Sequence, residues 1–117
     1  ESFYKPQNAN YLNRLKTLSY EKAYLVKSSV TCSLSVKGLK VPTPVSLGLN
    51  QGWNMVGYPG QTKQLIENII APVESNILNI KNFNGFFIPN NATSSLFEFT
   101  PGEGYFIKAL NDTKIDY

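Results

Sequence analysis

The chain repeats itself. Residues 1–10 (ESFYKPQNAN) resemble residues 84–93 (NGFFIPNNAT), with Phe3/Phe86, Pro6/Pro89, Asn8/Asn91 and Ala9/Ala92 coinciding. After a gap of two residues, 15–27 resembles 96–108. There Leu15/Leu96, Tyr24/Tyr105 and Lys27/Lys108 are identical, and Leu18/Phe99, Ser19/Thr100, Leu25/Phe106 and Val26/Ile107 are conservative. The same offset sets Leu34 and Val36 against Ile115 and Tyr117. Recurrence over this distance signals one structural unit used twice. Each copy reads as an aromatic strand, a proline turn, a leucine-bearing connection, a Tyr-aliphatic-Lys strand and a final alternating strand. Only the second copy has further strand and helix patterns ahead of it, so the chain reads as starting in the middle of a unit.

Strand patterns dominate both copies. Residues 31–36 alternate strictly, apolar at Cys32, Leu34 and Val36, which is the period of a half-buried strand. Residues 22–27 place Tyr24 and Val26 on one face, and 104–108 do the same with Tyr105 and Ile107. Residues 52–58 form another strand, bracketed by glycine and closed by Pro59-Gly60, with Met55 expected on the face opposite Trp53 and Val56. Further strands are expected within 76–83, 85–89 and 113–117, and Asn84-Gly85 is a hairpin signal between two of them.

One helix is expected at 63–71. Leu65, Ile66, Ile69 and Ile70 form an apolar stripe that should pack on a sheet, with Thr62 as N-cap and Pro72 as the stop. A weaker helical or turn segment covers 10–18. Val41, Pro42 and Pro44 mark a linker over 41–45, since proline has no amide donor for a ladder. The expectation is a mainly β domain spanning 1–117, a closed barrel or a sandwich, because open edges invite association. It would carry one short helix and an internal pseudo-repeat, with halves 1–40 and 46–117 joined by the linker.

Composition narrows the chemistry. Among 117 residues there is no His, one Cys and one Arg, and charged residues make up 16% against a typical value of about 25%. Thirteen Asn and ten Ser fill the gap. A Ser-His-Asp or Cys-His site cannot be built without histidine, and a Cys/His zinc site cannot be built from one cysteine. No cofactor and no metal site is expected, since Asp112 and Asp116 stand outside any calcium-loop pattern. Cys32 lies on an alternating stretch and reads as a buried, inert thiol. The net charge of +3 comes from scattered lysines rather than an arginine-rich stripe, so no nucleic-acid partner is expected. No apolar run approaches the ~20 residues of a membrane span, and residues 1–10 are too polar for a secretory leader.

Aromatic rings remain as candidate sites. Trp53, Tyr58, Tyr4 and Tyr11 are the candidate ligand-binding residues, because sugars stack on exposed aromatic faces. For Trp53 the competing reading is a core position beside Val56, the commoner fate of a tryptophan. Tyr20 and Tyr117 also lie near turns or strand ends, where a ring can reach the surface. Glu21 and Glu103 occupy near-equivalent turn positions, and a solvated turn does not tune a carboxyl for acid catalysis.

Two stretches resemble a known module. LNQGWNMVGYP at 49–59 resembles the GWNLVGYP signature of modules found in large bacterial surface and secreted proteins, and LFEFTPGEGYFIK at 96–108 resembles the L-x-x-L-x-PGKGYWIK signature that closes the same module. Residues 46–117 thus resemble one full module, and 1–40 the second half of another. There the pattern departs, with Tyr20-Glu-Lys-Ala23 where Pro-Gly-Lys-Gly is expected. The resemblance implies a secreted or cell-surface, non-catalytic setting: adhesion, glycan contact or spacing, with a glycan or another surface protein as partner. The alternative is structural self-assembly, in which neighbouring chains exchange strands. An enzyme ranks third.

Overall fold

A computed structural model describes residues 2–117. Among these residues, regular structure is confined to the second copy and the segment ahead of it. Strand β1 (Ser46–Leu49) is followed by β2 (Gly52–Gly57), β3 (Gln64–Leu65), helix α1 (Ile66–Ile70), a 3₁₀ stretch (Ala71–Asn76) and β4 (Ile77–Lys81). Then come β5 (Phe86–Phe87), β6 (Glu98–Phe99), β7 (Gly104–Ala109) and β8 (Thr113–Asp116). The fold is mainly β. All pairings are antiparallel and fall into three sheets, β1-β8, β2-β7-β4-β5 and β3-β6. They do not close into a barrel.

Strand β7 organises the largest sheet. Its alternation turns Tyr105, Ile107 and Ala109 inward, and these residues are buried. Strand β2 supplies Val56 to the same interior, and β4 supplies Ile77 and Ile80. Ile77 and Ile80 are three residues apart, so a plain strand would send them to opposite faces. A register shift between Ile77 and Asn79 adds the extra residue that lets both point in. Burying such a side chain is worth about 1.5–3 kcal/mol, and Phe87, Phe99 and Ile115 extend the same core. The expected hairpin is present: Asn82 N–H donates to Gly85 O across 3.0 Å, and Lys81 faces Phe86.

The helix is shorter than its apolar stripe predicts. Ile66 and Ile70 are fully buried as expected, but Gln64 and Leu65 pair with β6 instead of opening the helix. Thr62 is not its cap; its carbonyl accepts the Tyr58 hydroxyl at 2.8 Å. The α-helix does end just before Pro72, at Ile70, and the chain continues as a 3₁₀ stretch. Pro72 lies in the first turn of that stretch, where a missing N–H leaves no bond broken.

The strands expected at 22–27 and 31–36 do not form, and the helical or turn segment expected at 10–18 is present only as a turn at 10–12. Residues 2–45 contain turns and extended backbone only, and Cys32 is exposed rather than buried. Yet the repeat persists in local hydrogen bonds. The Tyr24 hydroxyl accepts from Ser19 N–H at 2.9 Å, as the Tyr105 hydroxyl accepts from Thr100 N–H at 2.7 Å. The turn at 20–23 packs against the β2/β7 end: a methyl placed on Gly57 would lie 2.8 Å from Tyr20 O. The linker carries a cis Thr43-Pro44 bond and leads to Val45, which exchanges backbone hydrogen bonds with Tyr117.

Candidate functional site

The four-stranded sheet has one face on the core and one face outward. The antiparallel register sets Trp53 beside Lys108 and Met55 beside Phe106. It also sets Lys81 between Phe106 and Phe86. Trp53 and Met55 therefore share the outer face, and the expectation that they oppose each other fails: residues two apart on a strand point the same way, and Val56 points in. Trp53 is 50% exposed, so the core reading of this residue gives way to the surface one.

The electrostatics of this face are cationic. Lys81 Nζ lies 4.6 Å from the Trp53 ring centroid and 5.9 Å from that of Phe106, and Lys108 Nζ lies 5.8 Å from the Trp53 centroid. Each is within range of a cation–π attraction worth about 0.5–1 kcal/mol at an exposed site. Among the described residues the ion pair is Lys63–Glu98, so neither Lys81 nor Lys108 meets a carboxylate there. Asn79 lies beside Lys108, with its Oδ1 enclosed and without a hydrogen-bond partner among the described residues. The arrangement offers a flat aromatic platform and two ammonium groups. It offers no nucleophile–base pair.

The other candidates separate. Tyr4 and Tyr11 are exposed but sit on the strandless segment 2–45. Tyr58 is buried, its ring stacked on Phe99 (5.5 Å, 18°) and edge-on to Tyr117 (5.3 Å, 68°). Tyr58 is thus no surface platform, and neither is Tyr117. Burial raises the phenol pKa of Tyr58, Tyr105 and Tyr117 above the ordinary 10.0. The Glu103 carboxylate accepts from Asn82 Nδ2 and the Tyr105 hydroxyl, and Asp112 accepts from Gln51 N–H at 2.8 Å. These carboxylates hold turns in place. Among the described residues no group of three or more metal-ligating acids or thiols is brought together, and no helix is long and apolar enough to cross a membrane.

Met55, Phe106, Lys81 and Lys108 were not candidates in the sequence. The signal that brings them in is the parity of β2 and β7 combined with the Asn84-Gly85 hairpin, which together fix which side chains stand next to Trp53. No family model, curated protein or solved structure matches this chain.

Proposed function

We propose that the chain is a non-catalytic extracellular binding or display module of a bacterial surface or secreted protein, and that its outer sheet face contacts glycans. The observation that carries this reading is the half-exposed Trp53 ring between Lys81 and Lys108. An exposed indole gives a flat apolar area to the C–H face of a sugar ring, and displacing Lys81 from it costs about 0.5–1 kcal/mol. The two ammonium groups, which meet no carboxylate among the described residues, favour sugars that bear carboxylate or sulfate groups. The secreted setting and the adhesive or spacing role rest on the resemblance of 49–59 and 96–108 to surface-protein modules.

A glycan array probed with the chain, followed by titration calorimetry on any hit, tests the reading. Binding should weaken at least about tenfold in Trp53→Ala and should fall with rising salt, as expected for exposed charges. Binding that survives Trp53→Ala moves the site elsewhere. No binding to any glycan overturns the glycan part and leaves spacing or protein adhesion.

A further inference from the structure

Every strand pairing in residues 46–117 joins one half of that segment to the other. Strands β1, β2, β3 and β4 come from 46–83, and β5, β6, β7 and β8 come from 84–117. The pairs are β1-β8, β2-β7, β3-β6, β4-β5 and β4-β7. No pair lies within a half. A second half on its own therefore has strand sequences and no ladder to make.

Residues 2–36 are in that condition. They repeat the local hydrogen bonds of the second half at equivalent positions. Leu15 N–H donates to Phe3 O at 3.1 Å, as Leu96 N–H does to Phe86 O at 3.0 Å. Lys5 exchanges two hydrogen bonds with the Asn13 side chain, as Ile88 does with that of Ser94. Lys22 N–H donates to Ser19 O at 3.2 Å, as Glu103 N–H does to Thr100 O at 3.2 Å. The turns are made and the strands are not. Side chains equivalent to core positions stand in water: Val26 is 70% exposed where Ile107 is 0%, and Leu34 is 71% exposed where Ile115 is 1%.

We infer that residues 2–36 are the receiving half of a second unit, and that their occupant is a donor segment with the pattern of residues 46–83. Such a segment brings an edge strand like β1, a sheet strand like β2, a short helix with an Ile66/Ile70-type stripe and a strand like β4. A second copy of residues 1–117 does not meet the need. Each copy carries one donor half and two receiving halves, and its donor half is already paired. Exchange among identical copies moves the deficit from chain to chain and leaves it the same size. The occupant is a donor half additional to the one at 46–83.

The test is a tandem chain with an extra copy of residues 46–83 joined ahead of Ser2, compared with the original chain by hydrogen–deuterium exchange. Amides of 22–27 and 31–36 should slow by about 100-fold or more, toward the rates of β7 and β8, because ladder amides exchange only on opening. Val56→Asp with Ile80→Asp in the added copy alone should abolish that slowing. Unchanged exchange at 22–36, with β7 still protected, overturns the inference. An independent measurement uses the original chain: Val26→Asp should leave its melting temperature within about 2 °C, as for an exposed side chain. A large loss of stability in Val26→Asp would show that Val26 is already packed and would also overturn it.

Discussion

Tyr117→Phe should make the protein more stable, and increasingly so at alkaline pH. The Tyr117 hydroxyl is enclosed and has no hydrogen-bond partner among the described residues, while its ring lies edge-on to Tyr58 at 5.3 Å and to Phe99 at 5.7 Å. Phenylalanine keeps both ring contacts and removes the stranded hydroxyl. An unpaired buried polar group costs about 1–3 kcal/mol, so a gain of about 1 kcal/mol is expected near pH 8. For a unit of this size that is a rise of about 4–8 °C in melting temperature. The pH dependence adds to it. Burial, and then repulsion from neighbouring Tyr58 and Tyr105, pushes the Tyr117 phenol well above its ordinary 10.0. The folded state therefore keeps a proton that the unfolded state releases near pH 10. Its stabilising effect is fully present below pH 10 and is lost as pH rises above it, at up to about 1.4 kcal/mol per unit. The variant lacks this group, so its advantage should grow by about 1.4 kcal/mol between pH 8 and pH 11. Urea unfolding followed by circular dichroism at both pH values measures the two effects. A variant less stable at pH 8, or an advantage that does not grow with pH, would mean that the Tyr117 hydroxyl is solvated or partnered in the folded protein.

Three further outcomes are expected. Ile107→Ala should cost about 2–5 kcal/mol in chemical denaturation, whereas Val26→Ala at the equivalent position should cost less than about 0.5. Gly57→Ala should displace the turn at 20–23, since its methyl would meet Tyr20 O at 2.8 Å and Lys22 O at 3.0 Å; faster proteolysis at 20–23 with an unchanged melting temperature for the remainder is the readout. Lys81→Ala should uncover the Trp53 ring, raising the acrylamide quenching of its fluorescence, and no change would mean that the cation–π contact is not kept in solution.

The sequence makes local conformation legible and leaves pairing obscure. Alternation in 104–108 and the Asn84-Gly85 turn led directly to β7 and to the β4-β5 hairpin. The same alternation in 31–36 produced no strand, because the pattern records what a strand can bury and not whether a partner exists. The helix began late because Gln64 and Leu65 have a strand partner in β6, a contact 33 residues away in sequence for Leu65↔Glu98 that periodicity does not reveal. Among candidate site residues, Trp53 reached the surface and Tyr58 did not. The difference lies in the fourfold aromatic cluster of Tyr58, Phe99, Tyr105 and Tyr117, which is assembled from three sheets and depends on long-range register.

The pairing of Val45 with Tyr117 has a mechanical consequence. The two residues exchange hydrogen bonds of 3.2 and 2.9 Å and continue the antiparallel β1-β8 ladder. A pull applied at these two points meets the ladder rungs one after another, in an unzipping geometry, instead of loading them together in shear. The unit then acts as a closed loop of chain that adds little to end-to-end distance while folded. Once the β1-β8 ladder and the core behind it open, roughly 70 residues can extend to about 250 Å. Held at these two points, the folded unit would lengthen by about that amount once its ladder and core open.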